Sequence, residues 1–254
     1  MKPQQPVLRI VLVLILTFNC FAYANQKGAA PELTEEIPHI LGKFPKTVID
    51  YDRTLLNDGE KKVVALLIEA SKPLDTIFFR QVSEKNLELR EVLLSLKGSP
   101  KYAQPLELFD LMKGRWDRLE ENKPFIGPFD KQGMKPPGAG FYPEDMTKEE
   151  FESWVKAHPE DKAAFEGLFT VIRREGSNLK AIPFHQYYAK DLQPVVQKLR
   201  EAAQLTSNAS LKTYLTKRAD AFLNDDYFAS DTAWIDLNSP IEVVIGPYEV
   251  YEDN

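Results

Sequence analysis

The sequence predicts an α+β chain that is predominantly helical, with one small hairpin and a separate C-terminal extended strand. Three observations carry this expectation. Apolar residues recur at helical spacing between residues 57 and 96 and again between 147 and 222. The turn-forming Glu175-Gly176-Ser177-Asn178 separates two short apolar runs, and Ile241-Glu242-Val243-Val244-Ile245 is rich in β-branched residues.

Taken in order, residues 1–24 read as an export signal. Lys2 and Arg9 precede a short apolar run, Ile10 to Phe18, and Ala22-Tyr23-Ala24 supplies a small-x-small cleavage pattern. The run is too short to span a bilayer, which needs roughly 20 apolar residues. The mature chain is therefore expected to carry no stable membrane insertion and to be periplasmic or secreted. Asn57 with Glu60 forms a capping box ahead of Val63, Leu66, Leu67 and Ala70, a helix expected to end near Ser71. Pro73 then opens a second helix carrying Leu74, Ile77, Phe78 and Val82. A third helix uses Leu89, Val92, Leu93 and Leu96 and stops at Gly98 with Pro100 beyond. Residues 114–127 are polar and aromatic, and they lead into a loop from Pro128 to Pro143 punctuated by Gly133, Pro136, Pro137, Gly138 and Gly140. Thr147 and Glu150 cap a helix bearing Phe151, Trp154 and Val155, which ends at His158-Pro159. Phe169–Ile172 and Leu179–Ile182 form the hairpin, with a loop of about four residues. Leu192, Val195, Val196, Leu199 and Ala203 mark a long helix with Pro194 near its start, and Ser207 or Asn208 caps another with Leu211, Leu215, Arg218 and Phe222. The strand at 241–245 calls for neighbours on both sides, and the modest hairpin is its only local candidate. An open apolar edge invites aggregation, so the 254 residues are expected to be the front part of something longer.

Charge and composition exclude several classes. With 32 basic against 38 acidic residues and a net charge of -6, the chain lacks the positive excess that binding to phosphate backbones requires, and nucleic acid is not an expected partner. Cys20 is the single cysteine, so no intrachain disulfide or cysteine-based metal cluster can form. His39, His158 and His185 fall in no compact metal pattern and read as surface or capping residues. No G-x-S-x-G elbow, Walker loop or dinucleotide fingerprint occurs. Asp225, Asp226, Asp231, Asp236, Glu242, Glu249, Glu252 and Asp253 crowd the C-terminal end, and most read as solvated surface charge. One arrangement is sharper. If residues 248–253 are extended, Glu249, Tyr251 and Asp253 face one way and Tyr248, Val250 and Glu252 the other. A carboxylate beside a phenol suits a peptide cleft, the first holding an ammonium and the second donating to a developing oxyanion.

Several segments carry a resemblance. Asn224-Asp225-Asp226-Tyr227-Phe228, Ser230-Asp231-Thr232-Ala233-Trp234-Ile235-Asp236 and Ile245-Gly246-Pro247-Tyr248-Glu249-Val250-Tyr251-Glu252-Asp253 resemble the dipeptidyl peptidase III family of zinc metallopeptidases. Trp116-Asp117-Arg118-Leu119, Pro136-Pro137-Gly138-Ala139-Gly140-Phe141-Tyr142-Pro143, Phe169-Thr170-Val171-Ile172-Arg173-Arg174 and Ala181-Ile182-Pro183 are similar to its bacterial branch. The resemblance covers most of the mature chain. It implies a two-lobed enzyme with a wide cleft, in which a zinc-activated water releases dipeptides from the free N-terminus of an oligopeptide. The family hallmark, H-E-x-x-x-H with a further glutamate downstream, is absent from this sequence. The family's glycine, glutamate and tyrosine pattern falls on Gly246, Glu249 and Tyr251. By that match Glu249 anchors the substrate amino group, with Gly246 and Tyr248 beside it in the substrate-binding set, and Tyr251 stabilises the tetrahedral intermediate. Residues 25–254 are thus expected to be the N-terminal portion of an exported zinc dipeptidyl peptidase, ending before the zinc helix and binding no metal themselves. The alternative is a non-catalytic peptide-binding module that lacks a metal site.

Overall fold

The computed structural model describes residues 30–50, 52 and 54–253. The chain divides into two units, Met1–Glu32 and Leu33–Asn254. Only residues 30–32 of the first are described, so the expected signal at 1–24 lies outside the described residues. Among the described residues no helix is long and apolar enough to cross a membrane.

The fold is helical with two small antiparallel hairpins, as the sequence predicts in class. After α1 (Ile37–Gly42) comes α2 (Asp58–Val82), then α3 (Asn86–Leu96) and α4 (Pro100–Met112). A minimal pair, β1 (Trp116–Asp117) and β2 (Lys123–Pro124), follows. Next are α5 (Lys148–Ala157), α6 (Lys162–Phe165) and the hairpin β3 (Thr170–Glu175) and β4 (Asn178–Pro183). The chain continues through α7 (Phe184–Tyr187), α8 (Ala189–Leu205), α9 (Ala209–Ala221) and α10 (Phe228–Ile235).

Helix α2 starts where the capping box predicts. Asn57 Oδ1 accepts from the Gly59 and Glu60 amides at 2.9 and 3.0 Å, and Glu60 accepts from the Asn57 amide at 2.8 Å. The expected break near Ser71 does not occur: α2 runs through Pro73 as one helix of 25 residues. Proline removes one helical hydrogen bond. Burial on both sides of it outweighs that loss, with Val63, Leu67 and Ala70 before and Ile77, Phe79 and Val82 after. The third helix stops ahead of Gly98 as predicted, and Pro100 beyond it opens α4, a helix the sequence reading does not anticipate, since a proline in the first turn forfeits no internal hydrogen bond. Thr147 and Asn208 cap α5 and α9 through the Glu150 and Leu211 amides. The β3–β4 hairpin pairs Glu175 with Asn178, which leaves a two-residue turn in place of the expected four, with Gly176 at φ +66°.

Three apolar clusters organise these elements. The largest joins α2 to α8 and α9 through Leu67, Ala70, Ile77, Val195, Leu199 and Leu215. Tyr188, Tyr214 and Phe222 lie in the same cluster. A second surrounds Phe79, at the far end of α2, with Ile37, Leu93, Leu108, Phe109 and Ile126. The third packs Met146 and Phe165 against Ile172 and Leu179. Val171 and Ile172 thus serve opposite faces of the hairpin, as strand alternation requires.

The predicted strand at 241–245 is not a strand. Its alternation is real, because Ile241 and Ile245 are buried and Val243 is half-buried while Glu242 and Val244 are exposed. These side chains pack on the helical core, and the segment belongs to no described sheet. Apolar burial is satisfied by helices in place of neighbouring strands.

Candidate functional site

One cavity of about 960 Å³ gathers residues from α5 to the C-terminal segment. That size is within the usual range for ligand pockets. Phe151, Phe165, Phe169 and Phe184 form its apolar side, Tyr214, Arg218 and Tyr227 line it from α9 and the turn beyond, and Asp231 and Trp234 contribute from α10. The remaining wall is the irregular segment Pro247–Tyr251 together with Asp253.

Tyr248, Glu249 and Tyr251, three of the four residues singled out from sequence, therefore share one cavity wall. Gly246 is not in the lining. It packs behind Tyr248, so closely that a Cβ there would lie 2.0 Å from the ring. The expected alternation holds in exposure: Glu249, Tyr251 and Asp253 are exposed, Tyr248 and Val250 half-buried, and Glu252 buried. The expected extended backbone does not. Glu249 and Tyr251 have φ of +59° and +49°, the left-handed region that residues with a Cβ seldom adopt. Such conformations cost about 1–3 kcal/mol each and persist only where the surroundings impose them.

The imposing groups include two that sequence reasoning missed. Arg218 sits in an apolar helical stripe and is only 2% exposed. Its guanidinium donates to the Tyr248 hydroxyl through Nη1 and to Asp231 Oδ1 at 2.6 Å through Nη2. The rings of Tyr214, Tyr227 and Tyr248 surround it at 5.3–5.5 Å. A buried cation is retained only when paired and enclosed in this way. The available signal was a charged residue recurring in step with Leu211, Leu215 and Phe222. Gln81 is the second: its Nε2 donates to the Pro247 carbonyl at 2.7 Å from the buried end of α2.

Burial pushes the Tyr248 hydroxyl up to about 12 and also raises Tyr214 and Tyr227. These phenols remain neutral at any ordinary pH. The sign of the pH effect follows from linkage. A folded-state pKa above the unfolded value near 10.0 gives stability that is complete below pH 10 and declines as pH rises toward 12. Phenolate absorbance followed with helical signal should show these tyrosines ionising together with loss of structure. Their full ionisation in a folded protein below pH 11 would contradict the burial argument.

The histidines do not converge. His185 Nδ1 is 2.7 Å from Asp225, His158 stacks on Trp154 with centroids 4.0 Å apart, and His39 lies in α1. Among the described residues no group of three or more His, Cys, Asp or Glu could hold a metal ion. The described residues therefore do not fit a zinc site.

Comparison with solved structures decides the family. The chain matches dipeptidyl peptidase III from Caldithrix abyssi with a TM-score of 0.81 and 52% sequence identity over 85% of its length. It belongs to the dipeptidyl peptidase III family. Dipeptidyl-peptidase III from Corallococcus sp. strain EGB gives the same TM-score, 0.81, at 37% identity over 87% of the chain. The match covers 40% and 41% of those two proteins, so this family member spans about two fifths of the length of its solved relatives. It is also 32% identical over 260 residues to Nudix hydrolase 3 of Arabidopsis thaliana, a match covering 84% of this chain and 34% of the plant protein. Residues 144–204, from the end of the 128–143 loop to α8, match a family of unknown function (DUF6887).

Proposed function

We propose that this dipeptidyl peptidase III-like chain provides the substrate wall of an exported, zinc-dependent dipeptidyl peptidase. In this reading the Glu249 carboxylate receives the free N-terminal ammonium of an oligopeptide. The Tyr251 hydroxyl donates to the oxyanion that develops on the attacked carbonyl, and Tyr248 and Gly246 hold the wall behind them. The observation that supports it is the presentation of Glu249 and Tyr251 from left-handed positions on one wall of a pocket-sized cavity, with Tyr251 85% exposed. Neither side chain makes a hydrogen bond to another described residue, which leaves both free for a ligand. Zinc would supply an activated water. The described residues do not fit a zinc site and would not themselves hold the metal.

Binding of free trialanine and of its N-acetyl form to the wild type and to Glu249→Gln tests the reading. Hydrogen bonds to charged groups contribute about 1.5–3 kcal/mol, so the substitution should reduce the preference for the free amine by roughly tenfold or more. An unchanged preference would remove Glu249 from the role. In the catalytically competent enzyme, Tyr251→Phe should lower turnover and leave peptide affinity nearly unchanged, since the bond strengthens only in the transition state.

Export is part of the same proposal and rests on the charge, apolar run and cleavage pattern of residues 1–24. N-terminal sequencing of protein recovered from the native host should begin at Asn25. A mature protein beginning at Met1 would defeat the export reading and leave the cavity argument intact.

A further inference from the structure

The left-handed residues of the cavity wall receive no support from secondary structure, because residues 236–253 contain no helix or strand. Their support is a set of side-chain clamps reaching across the fold. On the N-terminal side, Gln81 holds the Pro247 carbonyl and Arg218 the Tyr248 hydroxyl. On the C-terminal side the hold falls on Glu252, an acidic residue only 5% exposed. Lys135 Nζ reaches its Oε2 at 2.6 Å and its backbone carbonyl at 2.9 Å, and Arg118 Nη1 pairs with its Oε1.

We infer that Glu252, clamped by Lys135 and Arg118, is a positioning residue that fixes the backbone of Glu249 and Tyr251 in the cavity wall. Three features carry this. A carboxylate is left in so dry a place only when charges of opposite sign meet it, and here two do. The Lys135 ammonium contacts both side chain and main chain of the same residue, so it fixes backbone orientation as well as neutralising charge. Arg118 is itself braced: its Nε donates to the Met112 carbonyl at the end of α4 at 2.7 Å, and its guanidinium lies 5.4 Å from the Phe78 ring of α2. The clamp is therefore founded on helices. With 247–248 pinned on one side and 252 on the other, residues 249–251 span two fixed ends, with positive φ at Glu249 and Tyr251. The consequence for peptide recognition rests on the function proposed above; the clamp does not.

The test uses the whole chain and two readouts. The first is the amide NMR signature of left-handed residues, a strong intraresidue HN–Hα contact at Glu249 and Tyr251, which needs no ligand. The second is affinity for free trialanine. Glu252→Gln and Lys135→Met should each erase the signature at both positions while the resonances of α8 and α9 stay in place. Lys135→Arg, which keeps the charge, should retain it. Affinity should fall about tenfold in the variants that lose the signature, through loss of preorganisation. Should Glu252→Gln fail to fold, Lys135→Met with its arginine control carries the test alone. A signature unchanged in Lys135→Met overturns the inference. Loss of the signature in a protein whose wild type binds no peptide upholds the clamp and overturns the proposed function.

Discussion

Gly140→Ala is expected to destabilise the protein by about 3 kcal/mol, the upper part of the range for forcing added volume into a packed site. A Cβ at position 140 would lie 1.8 Å from the Arg80 carbonyl oxygen and 2.9 Å from its carbon. Neither backbone can retreat. The Gly140 amide donates to the Gln81 carbonyl at 2.8 Å, and the Gly140 carbonyl accepts from Arg173 at 2.8 Å. Arg173 is held in turn by Glu84 at 2.9 Å and by the Phe141 carbonyl at 3.1 Å. Because Gln81 also holds Pro247, the damage should extend to the cavity wall. Urea unfolding gives the stability change, and peptide binding at low denaturant gives the effect on the wall. A midpoint equal to that of the wild type would show that the loop and helix α2 are not locked together.

Gly246→Ala is expected to act more locally, with a loss of about 1–3 kcal/mol and a larger proportional effect on peptide binding than on folding. The new methyl would stand 2.0 Å from Tyr248 Cε1 and 2.3 Å from Cζ. A tyrosine ring can often swing away, but this one is confined. It meets Tyr227 edge-on at 4.9 Å and Phe169 at 6.3 Å, receives a hydrogen bond from Arg218 and donates to the Ile245 carbonyl at 3.2 Å. Displacing it breaks the Arg218 contact and shifts Glu249 with it. Denaturant midpoint and trialanine affinity, measured together, separate the two effects. Wild-type affinity in a folded Gly246→Ala protein would show that Tyr248 does not set the position of Glu249.

Much of the helical framework could be read locally, because caps and apolar stripes act within a few residues. The Asn57 box, the α8 stripe and the Asn208 cap all lie where the pattern puts them. The false break at Pro73 and the unanticipated helix opened by Pro100 share one cause. A proline carries the same local signal whether it ends a helix, opens one or is tolerated within one, and distant packing decides among these. The site was less legible. Glu249 and Tyr251 were singled out through a family resemblance and the alternation of 248–253, while their positive φ has no signature in residues that bear a Cβ. Arg218 lay in view within its stripe, yet its link to Tyr248 joins elements that no periodicity connects. The same holds for Gln81 and Pro247, far apart in sequence and joined by one hydrogen bond.

Helix α2 has a consequence for synthesis on the ribosome. Its main packing partner is α8, which emerges only after the intervening helices and hairpins. Until then Val63, Leu67, Ala70 and Ile77 have no surface to cover them, and contacts made at long separation form slowly. Until α8 is made, the nascent chain therefore presents an uncovered greasy stripe, the kind of surface that holdase chaperones grip.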